Sequence, residues 1–199
     1  MRCDRTVSKV RPVRVAYRHF QPVTVFYARS MGPYGASSQQ AWQAMGSWLD
    51  RHQARRRVKQ AFGLFRDNPK TTAPELLRYD ACIPVLFDSD FDLGPGIGRQ
   101  TLPGGAYAVH THVGSYDEAG ELFSQLHGEV VPKRALSVDY DRPFMAIHLN
   151  DPAITREVHR RTELCVPVVP IPMPLAGNDD VSDPARDIAA VARRLAKAS

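Results

Sequence analysis

The chain has 199 residues, 43% apolar and 24% charged, with a net charge of +5 and a pI near 9.3. Those proportions belong to a soluble globular chain with enough apolar material for a core, and no apolar run reaches the length of a membrane-spanning helix. Residues 1–12 lack the apolar stretch of a secretory signal, and the scattered Cys3, Cys82 and Cys165 form no C-x-x-C pair; both point to reduced thiols in a cytoplasm and away from a metal or redox centre.

The first 12 residues are basic and read as a disordered arm. Residues 13–20 read as a strand, and Pro22 marks the turn into a second strand over 22–31, rich in Val, Tyr and Phe. Gly32 suits a sharp exit and Ser38 a helix N-cap. Trp42, Met45, Trp48 and Leu49 then share one helix face. The cluster Arg51, Arg55, Arg56, Arg57 and Lys59 follows that helix. It reads as a solvated helix end, where cations complement the dipole, or as a phosphate-binding patch.

A strand near 98–102 leads to Pro103-Gly104-Gly105, which reads as a tight hairpin turn into a strand over 106–113. Gly114 and Ser115 repeat the exit and cap. Ala119, Leu122, Phe123 and Leu126 form the stripe of a second helix. Residues 171–182 read as a linker, and Asp183-Pro184 opens a helix over 183–199. Its narrow stripe, Ile188, Val191, Ala192 and Leu195, suits docking on its own domain or on a protein partner.

The chain repeats itself. FYARSMGPY from Phe26 aligns with AVHTHVGSY from Ala108, setting Gly32 and Tyr34 against Gly114 and Tyr116 at an offset of 82 residues. FGLFRDNP, ending at Pro69, aligns with MAIHLNDP, ending at Pro152, at an offset of 83. RYDACIPV aligns with RTELCVPV, so that Asp80, Cys82 and Pro84 face Glu163, Cys165 and Pro167. The expected fold is α+β: two β-α-β-β modules (13–88 and 96–170) related by a pseudo-twofold. They join into one antiparallel sheet with helices packed on it and a central cleft, a preferred place for a ligand.

The GPY turn at 32–34, ELLRYDACIPV at 75–85, LPGGAYAV at 102–109 and HLNDP at 148–152 resemble the GyrI-like small-molecule-binding domain. The same module serves as the effector-binding domain of some AraC-type and MerR-type regulators. The resemblance runs from about Val13 to Pro170. It implies a pocket lined by aromatics that takes hydrophobic, often cationic compounds. It also implies kinship with proteins that regulate transcription, protect gyrase or hydrolyse cyclopropane-containing toxins. With 12 residues before Val13 and one helix after the linker, the expectation is a stand-alone member without its own DNA-binding domain. The family places a buried glutamate on the strand that here reads FMAIHLN, where this chain has Ala146. Trp42 stands where multidrug-binding relatives set an aromatic against the ligand.

The candidate lining is therefore Trp42, Phe62, Tyr79, Tyr107, Phe123, Ala146, His148 and Glu163. Aromatics at these positions offer stacking and cation–π contact, or are simply core. His148 shares a strand face with Ala146 and reads as a pocket donor, an acid–base group or a hydrogen-bonded core histidine. Glu163 shares a face with Cys165 and Pro167. It reads as a replacement counter-ion or as a carboxylate paired with Arg160 or Arg161, and Asp80 reads as a structural tie. His110 and His112 share a face without a supporting acid, so no metal is expected, nor any cofactor or assigned catalytic residue. Cys82 and Cys165 read as small core residues. The leading function is sensing or sequestering a hydrophobic ligand. The alternatives are a toxin hydrolase and a protein-interaction module acting on gyrase or a regulator.

Overall fold

The structure is a computed structural model that describes residues 13–85, 92–151 and 154–171. The expected N-terminal arm, linker and C-terminal helix lie outside the described residues, as does Cys3. The elements are β1 (Ala16–Phe20), β2 (Val23–Met31), α1 (Tyr34–Arg51), β3 (Ala61–Phe65), β4 (Arg78–Pro84), β5 (Ile97–Leu102), β6 (Gly105–Val113), α2 (Ala119–Gln125), β7 (Leu136–Val138), β8 (Phe144–His148) and β9 (Arg161–Pro170). Every pairing is antiparallel, in the order β1-β6-β9-β8-β3-β4-β2-β5, with β7 beside the far end of β9.

Alternation decides which side each residue serves. In β2, Phe26 and Ala28 point to the helices, while Val25 and Tyr27 point to the other face. α1 presents Ala41, Met45, Trp48 and Leu49, spaced to fall on one stripe, to β2 and β4. α2 lies over β9 on the same face, burying Phe123 and, in the π turn that follows, Leu126. The central strands β3 and β8 therefore run between the two helices. Gly32 and Gly114, at φ of +127° and +135°, end the two long strands that lead to them, a conformation that disfavours any side chain.

Local expectations hold at Ser115, whose hydroxyl accepts from the Asp117 backbone N–H. Ser38 does not cap: α1 begins four residues earlier, after Pro33, and Ser38 instead hydrogen-bonds the Gly35 carbonyl within the first turns. The 103–105 segment turns tightly but makes no hairpin. β5 pairs with β2, and β6 pairs with β1 and β9. The chain thus crosses from one end of the strand order to the other end, and residues 21–22 make the reverse crossing from β1 to β2. The two crossings touch: a side chain on Gly104 would meet the Phe20 carbonyl and the Pro22 ring at 2.5 and 2.8 Å.

That closure curls the sheet. Its other face, helix-free among the described residues, buries Val25, Phe62, Leu64, Cys82, Leu102, Tyr107, Val109, Met145, Ile147 and Cys165 in one cluster that draws on strands near both edges. Two carboxylates stand on this face. Asp80 is fully buried, accepts two bonds from Arg29 at 2.6 and 2.9 Å and one from Arg66 at 2.8 Å, and also receives Gln100 at 3.2 Å. Burial alone would raise its pKa, but the hydrogen bonds and charges of Arg29 and Arg66 hold it below the usual carboxylate range. Glu163 pairs with Arg18 at 2.8 Å, rather than with Arg160 or Arg161.

Because the folded pKa of Asp80 is depressed, its stabilisation is present above about pH 4 and is lost as pH falls through the folded value. Asp80→Ala should cost about 3 kcal/mol in urea denaturation near neutral pH, since Arg29 and Arg66 lose their shared partner. The penalty should shrink in acid, where wild type loses the same interaction.

Candidate functional site

The floor of the space between the helices is set by two small residues. Gly63 of β3 and Ala146 of β8 are direct cross-strand partners, and both face the helices. Tyr79 of β4 lies across Gly63, so closely that a side chain there would collide with its hydroxyl. Trp42, half-buried on α1, donates its indole N–H to the Tyr79 Oη at 3.0 Å. Phe65 bridges the two helix-side clusters, packing on Tyr79 (centroids 5.2 Å) and on Phe123 of α2 (5.1 Å). The result is a continuous run of aromatic contacts from α1 to α2 across the middle of the sheet.

His148 stands one turn of the pleat beyond Ala146. Its ring meets Trp42 on one side and Tyr116 on the other, both edge-on at 5.3 Å. The residue as a whole is partly exposed, but both ring nitrogens are buried and neither has a hydrogen-bond partner. Burial pushes the imidazole down to about 4, so it is neutral at physiological pH. Tyr116 Oη and Thr162 Oγ1 are buried and unpartnered too. They approach each other without meeting hydrogen-bond geometry. Arg160 lies over the Tyr116 ring at 5.2 Å with its Nε buried and unpartnered.

Of the residues expected from sequence, the structure brings together Trp42, Tyr79, Phe123, Ala146 and His148. Phe62, Tyr107 and Glu163 lie on the opposite, helix-free face. There Phe62 packs in the curled core, Tyr107 sits under Arg142 (4.9 Å), and Glu163 holds Arg18. His110 and His112 each set a ring nitrogen 2.8 Å from a backbone carbonyl, of Arg14 and Ser115. Cys82 and Cys165 are buried thiols whose pKa burial raises.

Sequence reasoning missed Gly63, Phe65, Tyr116, Arg160 and Thr162. Tyr116 carried a signal, since it matches Tyr34 in the second Gly-x-Tyr turn. The two tyrosines differ in what they reach. Tyr34 Oη donates to the Asp67 carbonyl at 2.6 Å and accepts from its N–H at 3.0 Å, whereas Tyr116 Oη is left unpartnered.

The neutral, buried His148 makes stability depend on pH in a defined window. Between about 6.5 and about 4 the unfolded chain binds a proton that the folded chain refuses. Folding stability should fall as pH drops through that window, by up to ~3 kcal/mol in wild type. Chemical denaturation of His148→Phe across the same range should show a flatter profile.

The family model of the GyrI-like small molecule binding domain matches residues 15–169. A probable transcriptional regulator, YgiV of Escherichia coli K12, is 44% identical over 59 residues, 30% of this chain; the chain spans only 36% of that protein's length. A DNA gyrase inhibitor of Cronobacter sakazakii is 30% identical over 128 residues, 61% of this chain and 76% of the inhibitor. Among solved structures, the EcmrR C-terminal domain superposes with a TM-score of 0.64 at 15% identity, covering 80% of this chain and 99% of that one. SAV2435 bound to tetraphenylphosphonium gives 0.54 at 14%, covering 78% and 94%. These two likenesses speak to the fold, while the match over 15–169 speaks to descent: the chain belongs to the GyrI-like small molecule binding domain family.

Proposed function

We propose that this chain binds a flat, hydrophobic small molecule in the cleft between α1 and α2, to sense or sequester it. The supporting observation is convergence. Trp42, Tyr79, Phe65 and Phe123 surround a floor of Gly63 and Ala146, and buried polar atoms without protein partners stand at one end. A buried donor or acceptor left unsatisfied costs about 1–3 kcal/mol, so a ligand that satisfies several recovers a useful binding energy. Aromatic faces add affinity without demanding one particular ligand shape. SAV2435, which shares the fold, is solved bound to tetraphenylphosphonium, so the fold can hold an aromatic small molecule.

The hydrolase reading leaned on Glu163 or His148 as the replacement for the missing acid. Glu163 is bonded to Arg18 on the other face of the sheet, and burial keeps His148 unprotonated near neutral pH, so binding has the better support. The protein-partner reading leaned on the C-terminal helix, which lies outside the described residues.

Trp42→Ala should weaken binding of a hydrophobic aromatic probe about tenfold or more, a loss of about 1.4 kcal/mol or more, while the thermal transition stays cooperative. The measurement is calorimetric titration of both proteins, with ligand-induced melting shifts as a second readout. Unchanged affinity in the variant would place the ligand elsewhere.

A further inference from the structure

The polar end of the cleft has a distinct chemical character. Among the described residues, six buried side-chain atoms lack a hydrogen-bond partner, and five of them belong to His148, Tyr116, Thr162 and Arg160. The four residues are contiguous. Thr162 is the cross-strand partner of His148, Tyr116 lies edge-on to that imidazole, and Arg160 covers the Tyr116 ring. Each can donate a hydrogen bond: the two hydroxyls, the neutral imidazole through one nitrogen, and the guanidinium. The group includes one permanent positive charge and no carboxylate. The carboxylates on the neighbouring strands, Asp80 and Glu163, point to the opposite face and are neutralised there by arginines. Two exposed carboxylates stand nearby: Asp151, whose field reaches Tyr116 less strongly than that of Arg160, and Glu118, 3.9 Å from His112, the partner of Thr162 on β6.

Donors that converge with a cation in a partly dehydrated place favour an anionic acceptor, because charge-assisted hydrogen bonds are roughly twice as strong as neutral ones. A lipophilic cation would meet the opposite arrangement. It would find Arg160 and hydroxyl protons, with Ala146 offering no charge to compensate its lost hydration. Next to this end the walls are aromatic.

We propose that the cleft selects aromatic acids, with the ring body beside Trp42 and Tyr79 and the carboxylate held by Arg160, Tyr116, Thr162 and His148. This selectivity rests on the cleft being the ligand site, as proposed above. It assigns Arg160 as the residue that sets charge preference.

The test compares three matched probes against the full chain near neutral pH: naphthalene-2-carboxylate, naphthalene-2-carboxamide and 2-naphthyltrimethylammonium. Isothermal titration gives their affinities for wild type, Trp42→Ala and Arg160→Gln. The carboxylate should bind wild type about tenfold or more tighter than the ammonium compound, with the amide between them. Arg160→Gln should narrow that ratio to within about threefold by weakening the carboxylate alone, whereas Trp42→Ala should weaken all three. The wild-type ratio needs no variant to fold. Equal or tighter binding of the ammonium compound overturns the charge assignment and leaves the cleft reading standing. Failure of all three to bind at millimolar concentration overturns the cleft reading, and this inference with it. A carboxylate preference unchanged in Arg160→Gln overturns the role given to Arg160.

Discussion

The site depends on a steric fact at the middle of the sheet: Gly63 and Ala146 are cross-strand partners on the strip between the two helices, and the Tyr79 side chain covers Gly63. A side chain at 63 would displace the Tyr79 ring from its place against β3. With glycine at 63, Tyr79 can lie flat across β3 and accept the Trp42 indole proton. With alanine at 146, the imidazole of His148 stands clear of its neighbour along the strand.

Charge is segregated by the pleat. Asp80 and Glu163 occupy matching places on β4 and β9, next to Cys82 and Cys165, and both face the curled, helix-free side, where Arg29, Arg66 and Arg18 compensate them. One residue along β9 in either direction, Thr162 and Leu164 face the helices. Alternation therefore keeps these two acids out of the cleft and leaves it lined by neutral donors and one guanidinium.

Much of this was legible in the sequence. Helical spacing picked out Met45, Trp48 and Leu49 as core, and alternation along β8 correctly paired Ala146 with His148. Along β9 it correctly paired Glu163 with Cys165. The step that failed was between strands. Placing Glu163 beside His148 required the register of β8 on β9, where Ala146 faces Leu164 and Ile147 faces Glu163. A shift by one residue reverses the face, and no local signal reveals it. The same limit applies to 103–105, whose Pro-Gly-Gly chemistry announces a turn but not which strands the flanking residues will join. In the sequence Arg160 stands out only as a possible partner of Glu163, and Thr162 not at all, because what marks them is the partners that their buried atoms lack, a property of three-dimensional surroundings. The matched blocks do fall on β2 and β6, β3 and β8, and β4 and β9, so the repeat pattern located the strands even where it did not locate their neighbours.

The most direct test is to ask which face of the sheet a ligand touches. NMR of isotope-labelled protein, titrated with naphthalene-2-carboxylate, reads the Trp42 indole N–H, the His148 ring and the Tyr107 ring in one experiment. The account predicts progressive shifts at Trp42 and His148 with Tyr107 unaffected. Shifts centred on Tyr107 and the Arg18–Glu163 pair, with Trp42 and His148 still, would contradict it.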